Sequence, residues 1–217
     1  MSNNVRLIVF DLGRVLVRIC DSWDHACAVA RLPVKLPPRD AMVKPALHEA
    51  TALMETGRID TAEFCRRVAR VFAVEPDHVR SILGCYLIGT YPGVTELLDE
   101  LSGAGYVTAC LSNTQTEHWN QMSDPRDRAA LPMGRIRHHF ASHLLGLRKP
   151  DDAIYARVER DTGFAGPQVV FFDDMLENVE AAARRGWRAH DIDRVRDEPV
   201  TQMREHLAEH GVLRFMK

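Results

Sequence analysis

Residues 5–13 read VRLIVFDLG. Apart from Arg6, the run Val5–Phe10 is apolar and rich in β-branched side chains, and it stops abruptly at Asp11, with Gly13 close behind. A strand with one solvated face alternates apolar and polar residues. An unbroken apolar run therefore predicts a strand covered on both faces. Its polar end predicts a loop that carries Asp11 at the carboxyl end of the strand. The pattern recurs twice: Tyr106–Leu111 ends at Ser112-Asn113, and Val169–Phe172 ends at Asp173-Asp174. Trp187–Ile192 reads as a fourth strand.

Helical spacing fills the intervals. Pro92-Gly93 opens a segment with Val94, Leu97, Leu98 and Leu101 on one face, closed by Gly103 and Gly105. Ile154, Tyr155 and Val158 mark a helix that stops near Gly163, and Val179, Ala182 and Ala183 mark one that stops at Gly186. Val200, Met203 and Leu207 suggest a last helix. Strands alternating with helices predict an α/β fold with a doubly wound parallel sheet and right-handed crossovers.

Residues 18–90 break the alternation. Ala46, Ala50, Leu53 and Met54 share one helical face, and Phe64, Val68, Val71 and Phe72 share another. Thr61, or Asp60 in competition with it, can cap the second helix. Pro33, Pro37, Pro38 and Pro45 interrupt the start. The expected organisation is an α/β core of residues 1–17 and 91–217, with a small helical domain inserted at 18–90.

The 217 residues carry 28 basic and 30 acidic side chains, mixed along the chain, for a net charge of −2. This is not the basic footprint of a nucleic-acid binder, and no block of like charge forms an interaction tail. A small-molecule partner is expected instead. The five cysteines are odd in number, widely spaced and free of CxxC pairs, which predicts reduced thiols in the cytoplasm. Met1–Asn4 is polar, so no signal peptide is expected. No apolar run approaches the ~18 residues of a membrane span. A monomer is compatible with the sequence, which sets no oligomeric state.

Ligands of open α/β sheets bind beyond the carboxyl ends of the strands. Asp11, Ser112-Asn113 and Asp173-Asp174 should converge there, joined by Arg148-Lys149-Pro150-Asp151 ahead of a helix. Taken singly, each has a plain reading as a turn, a cap or a solvated charge. Asp173-Asp174 is harder to dismiss, because adjacent carboxylates repel and need a cation or strong donors. Together the groups suit phosphoryl transfer. Carboxylates at two strand ends can hold Mg²⁺, Lys149 adds positive charge, and Ser112 with nearby N–H groups can hold phosphate oxygens. A carboxylate can then attack phosphorus to give an aspartyl-phosphate that water cleaves.

IVFDLGRVL at 8–16, CLSNT at 110–114, RKPD at 148–151 and VVFFDDMLENV at 169–179 resemble, in order and spacing, the haloacid dehalogenase superfamily. The resemblance implies Asp11 as nucleophile and metal ligand, with the Gly13 carbonyl as a second ligand. It implies phosphate binding by Ser112 and the Asn113 backbone, and Lys149 steadying both nucleophile and phosphate. Asp174 would bind Mg²⁺ directly, Asp173 would assist, and Asn178 would support them from outside. Residues 18–90 would be the cap that closes over the site and selects substrate.

One position departs from the pattern. Most phosphatases of the superfamily carry a second aspartate two residues after the nucleophile as general acid and base, and here that position is Gly13. The loss of such a group costs ~10²–10⁴-fold unless the leaving group needs little protonation, as with a sugar 1-phosphate. DLGRV, LSNT, RKP, FFDD and the cap segment Glu55–Ile59 are similar to bacterial α-D-glucose-1-phosphate phosphatases, which also lack that aspartate. The substrate this implies is a sugar phosphate, α-D-glucose 1-phosphate first.

Three rivals stand beside this reading. A 2-haloacid dehalogenase would use Asp11 on carbon without metal, but would lack the Asp173-Asp174 pair. A phospho-receiver module would place its acidic pair after the first strand. A degenerate fold kept for binding or regulation has Gly13 as its only support. Other features point less firmly to function. His138, His139 and His143 read as solvated or capping, and Trp23 as cap packing or a substrate cover. Arg14 and Arg18 follow the nucleophile and read as solvated by default, with one of them able to meet a phosphate or a sugar hydroxyl, and Ser123–Arg128 reads as a surface loop.

Overall fold

The computed structural model describes residues 4–32, 43–196 and 198–214. Pro33, Pro37 and Pro38 lie outside them. The chain begins with β1 (Leu7–Phe10) and β2 (Val17–Ile19). Four helices follow, α1 (Trp23–Val29), α2 (Val43–Glu55), α3 (Thr61–Phe72) and α4 (Pro76–Tyr86), and then β3 (Leu87–Thr90). Next come α5 (Val94–Gly103), β4 (Val107–Ser112), α6 (Thr116–Ser123), β5 (His138–Ala141), α7 (Ser142–Leu145) and α8 (Asp152–Thr162). The chain closes with β6 (Val169–Asp173), α9 (Leu176–Arg184), β7 (Arg188–Asp191) and α10 (Pro199–Glu209).

Five strands form one parallel sheet in the order β5-β4-β1-β6-β7. Its two covered faces explain the unbroken apolar runs. Ile8, Phe10, Cys110, Val170 and Phe172 point into one buried cluster with the α5 and α10 side chains. Leu7, Val9, Ala109, Leu111, Val169 and Phe171 point into the other, with Ile154, Tyr155 and Val158 of α8. Both positions of the pleat are apolar because helices cover both sides. Phe10 pairs with Cys110 on one side and Phe172 on the other. The residues that follow therefore emerge together at one edge.

The helices α1–α4 leave the core through a ribbon that the sequence reading did not foresee. β2 and β3 pair antiparallel, with Val17 opposite Thr90, so the insertion hangs from two short strands. Its own core is built by Phe64, Val68 and Phe72 against Leu47, Ala50 and Met54; the expected faces hold in part, since Ala46 is exposed, Leu47 takes its place, and Leu53 and Val71 are half-buried. Asp60, not Thr61, caps α3: its side chain accepts from the Glu63 N–H at 2.7 Å. β5 and α6 were also missed. β5 is an edge strand whose first two residues are histidines, and α6 carries little apolar periodicity. His138 and His139 thus lie on a sheet edge. Among the described residues no helix is long and apolar enough to cross a membrane.

Behind the sheet, β7 and α10 stack three imidazoles. The His190 and His206 rings lie 4.1 Å apart, and His190 Nε2 is 2.7 Å from His210 Nε2. Phe172 covers His190 from β6, Arg188 reaches His210 Nδ1 at 3.2 Å, and Glu209 pairs with His206. Burial first, then the neighbouring His206 and His210, push the His190 pKa down to about 4. The folded state therefore resists a proton that the unfolded chain takes up near pH 6.5. Stability is intact above that pH and is lost as pH falls from about 6.5 toward 4. We expect Tm to drop by several degrees over this window and the drop to shrink in His190→Phe. Equal pH slopes for the two proteins in scanning calorimetry would refute the assignment.

Candidate active site

Each strand end delivers what its pattern promised. Asp11 follows β1, and its N–H bonds the Phe172 carbonyl at 2.8 Å, which ties the loop to β6. Ser112 ends β4 and is buried. Asp173 ends β6, and Asp174 follows it. The side-chain oxygens of Asp11, Asp173 and Asp174 lie within 4.8 Å of one another.

Lys149 makes this cluster tolerable. Its side chain is 1% exposed, and Nζ sits 2.8 Å from Asp11 Oδ1 and 2.7 Å from Asp173 Oδ2. Burial opposes its charge, but Asp11 and Asp173 outweigh that and hold its pKa above the usual lysine value. Asp11 feels the opposite balance. Burial raises its pKa most, Lys149 resists, Asp173 and Asp174 add to the rise, and the net value is about 7. Burial also raises the Asp174 pKa, against Arg194, Arg14 and Lys149.

Side-chain hydrogen bonds lock the arrangement. Asn113 Nδ2 donates to the Lys149 carbonyl at 2.9 Å, and its Oδ1 accepts from the Lys149 N–H at 2.8 Å. Asn113 thus clamps the lysine backbone, a role the sequence reading did not assign to its side chain. Asp173 Oδ1 accepts from the Met175 N–H and from Asn178 Nδ2, both at 2.9 Å. Both Asp173 oxygens are therefore engaged. Ser142, buried at the start of α7, holds Thr114 by two hydrogen bonds.

A cation fits the remaining donors. Asp11 and Asp174 offer hard carboxylate oxygens, the type Mg²⁺ prefers, with Gly13 lining the same cavity. Asn178 Oδ1 is buried and receives no hydrogen bond among the described residues. Its amide is oriented by Asp173, so this acceptor suits the water shell of a hydrated ion. Arg14 and Arg194 ring the site as well: Arg194 Nε lies 2.8 Å from Asp174 Oδ2, and Arg14 Nη1 lies 3.8 Å from the same oxygen. Arg14 was read as solvated and is not. Arg194 was missed, because a lone arginine after a short strand carries no pattern.

The cluster forms the floor of a cavity of about 350 Å³. Most of the roof comes from the insertion and is apolar: Trp23, Met54, Phe64, Ile82 and Leu83, with Met122 of α6 beside them. Trp23 also packs at a tilt on Phe72, with ring centres 5.5 Å apart, which bears out the packing reading. Glu55 of α2 reaches down to Arg148, whose Nη2 donates to its Oε2 at 2.8 Å. His118 Nε2 lies 3.0 Å from the Leu83 carbonyl, and Arg80 pairs with Glu117 at 2.8 Å. Gly57 (φ 67°) turns between α2 and α3 against the His143 carbonyl, where a Cβ would clash. The insertion is thus seated on the core, and the cavity lies between them.

A doubly wound α/β sheet with a carboxylate, a buried lysine and an acidic pair at adjacent strand ends, roofed by an inserted helical unit, is the arrangement the sequence resemblance implies. The haloacid dehalogenase-like hydrolase model matches residues 5–186, and the chain belongs to that family. It is 25% identical over 190 residues to the sesquiterpene phosphatase astK of Aspergillus oryzae, covering 86% of this chain and 89% of that protein. Among solved structures it is similar to a predicted HAD-like family hydrolase from Porphyromonas gingivalis (TM-score 0.74, 24% identity, 94% and 98% of the two chains). It is also similar to the HAD family enzyme bt-2542 from Bacteroides thetaiotaomicron in complex with magnesium and inorganic phosphate (TM-score 0.67, 19% identity, 87% and 94%).

The buried lysine can be tested for its electrostatic role. Breaking a buried ion cluster from one side costs about 3–5 kcal/mol, so Lys149→Met in EDTA should lower Tm by about 10 °C. Adding Asp173→Asn should recover part of that loss, because it removes a stranded carboxylate. Strictly additive losses in the double variant would rule out the pairing.

Proposed function

We propose that this protein is a Mg²⁺-dependent phosphatase that hydrolyses a small phosphomonoester through an aspartyl-phosphate on Asp11. The observation that carries the reading is the Lys149 ammonium held between Asp11 and Asp173, with Asp174 alongside. In this reading Asp11, Asp174 and the Gly13 carbonyl hold the ion, and Asp173 assists by fixing Lys149 and the loop. Mg²⁺ would neutralise the repulsion between a carboxylate nucleophile and a phosphate dianion. Ser112 and the Asn113 backbone take phosphate oxygens, Lys149 keeps Asp11 ionised and aimed, and Arg14 and Arg194 add charge at the rim. Residues 1–17 and 91–217 serve as the catalytic core, and 18–90 as a cap that excludes water and selects the ester. Asp173-Asp174 favours this over a 2-haloacid dehalogenase, which needs no metal, and the intact cluster argues against a purely regulatory fold. The five free thiols suit a reducing compartment, and we place the protein in the cytoplasm.

The leaving group has two readings. α-D-Glucose 1-phosphate follows from Gly13 and the sequence resemblance, since an anomeric oxygen leaves without much help. An apolar ester is favoured by the cavity roof. A hexose presents several hydroxyls, and Trp23, Met54, Phe64, Ile82 and Leu83 give them little to bond, although Thr51, Glu55 and Tyr86 line the same roof. The similar Aspergillus oryzae protein, named a sesquiterpene phosphatase, points the same way.

Two outcomes follow. Asp11→Asn should abolish Mg²⁺-dependent turnover of p-nitrophenyl phosphate while the fold melts normally, and EDTA should abolish wild-type turnover. Undiminished activity in either case would end the reading. In a panel of α-D-glucose 1-phosphate, glucose 6-phosphate and farnesyl phosphate, the roof predicts a kcat/KM at least tenfold higher for farnesyl phosphate, at ~0.8 kcal/mol per buried methylene. A preference for glucose 1-phosphate would restore the sugar reading, and one for the 6-phosphate would defeat both.

A further inference from the structure

Expelling an alkoxide from phosphorus requires a proton at the ester oxygen. The floor of the cavity does not provide one. In the phosphatase reading Asp11 is the attacking group and Asp174 is committed to the ion, and position 13 is a glycine whose added Cβ would meet only Ile19 carbons, at 3.5 and 3.9 Å. With the phosphate held at the strand ends, the ester oxygen points at the insertion. The proton donor should therefore hang from the roof.

Glu55 hangs there. It ends α2, lines the cavity, and has a side chain 17% exposed. Its two oxygens differ. Oε2 accepts from Arg148 Nε at 3.1 Å and from Nη2 at 2.8 Å, while Oε1 takes no part in this anchor. Arg148 directly precedes Lys149, which contacts Asp11, so the anchor ties Glu55 to the reacting centre. Burial raises the Glu55 pKa against the pull of Arg148 and Lys149, which favours the protonated form an acid needs. The alternatives fit less well. His118 Nε2 is turned to the Leu83 carbonyl, and burial lowers its pKa. Glu177 is exposed in the first turn of α9, on the core side.

Resting on the phosphatase reading above, we propose that Glu55 is the acid and base of the reaction, supplied by the insertion in place of a residue in the nucleophile loop. As the bond from Asp11 oxygen to phosphorus forms and the bond from phosphorus to ester oxygen breaks, the Glu55 proton passes to that oxygen, which leaves as an alcohol. Water then attacks the aspartyl-phosphate and gives a proton to the Glu55 carboxylate. The bond from phosphorus to Asp11 breaks, phosphate departs, and Glu55 is again protonated. Ester and water become alcohol and phosphate, with no change of oxidation state. The acid is in place only when the insertion is seated, so chemistry waits for closure.

The test compares wild type with Glu55→Gln in Mg²⁺, on p-nitrophenyl phosphate and on the best alkyl ester of the panel above. Glutamine keeps an oxygen for Arg148, so the anchor persists. Nitrophenolate leaves without a proton. We expect kcat on the alkyl ester to fall ~10²–10⁴-fold. With p-nitrophenyl phosphate, a burst of nitrophenol should precede slow turnover, because the second step has lost its base. A small, equal fall on both esters with a raised KM and no burst would reduce Glu55 to an anchor and overturn the proposal. So would a wild type that cleaves the aryl ester but no alkyl ester. Wild-type inactivity on every phosphate ester would instead overturn the phosphatase reading itself.

Discussion

One buried ammonium holds the site together. Three carboxylates within 4.8 Å of each other would repel strongly in a dry environment, and Asp11 would stay protonated and inert as a nucleophile. Lys149, buried and bonded to two of them, makes the cluster possible. Its effect depends on position rather than on charge alone, because a flexible lysine could satisfy either carboxylate without aligning them. The Asn113 clamp on the Lys149 backbone and the two bonds from Met175 and Asn178 to Asp173 remove that freedom. The polar atoms around Asp11 form a network in which each partner is fixed by another, and such networks are worth more than their separate bonds.

The sheet determines which residues can enter this network. Strand order β5-β4-β1-β6-β7 sets β1 between β4 and β6, so residues distant in sequence reach one point. The chain reverses its winding direction beside β1, and that is where open sheets leave a crevice. The insertion leaves the core just after the nucleophile loop and returns through β3. Its ribbon roots the roof within a few residues of Asp11, so a movement of the helices is felt at the floor.

Much of this was legible in the sequence, and the exceptions have physical causes. The strands β1, β4 and β6 are buried on both faces, so their apolar runs had no competing explanation, and the polar residue ending each run marked the site. The need of Asp173-Asp174 for a cation or strong donors followed from chemistry, while the particular parts of Lys149 and Asp174 came from the resemblance. β5 escaped because an edge strand with two leading histidines lacks the apolar signature. The β2–β3 ribbon is too short for a period to show. Arg194 and the Asn113 clamp depend on tertiary proximity, which no local pattern encodes. Glu55 was visible only as part of a segment preceding Gly57, and its orientation toward Arg148 depends on how two helices pack.

The cavity divides its work between floor and roof, and this division bears on substrate. The floor is charged and fixed, and in the proposed reading it would serve any phosphate monoester. In the proposed reading discrimination comes from the roof, where apolar side chains outnumber the polar ones and two of the polar groups also seat the insertion: Glu55 Oε2 on Arg148, and His118 on the Leu83 carbonyl. A leaving group rich in hydroxyls finds more apolar than polar surface there, and each hydroxyl left unpaired costs roughly 1–3 kcal/mol. An apolar one gains by burial, and that gain can hold the ester in line with Asp11. Under the proposed reading, such a roof would also keep bulk water from an aspartyl-phosphate on Asp11.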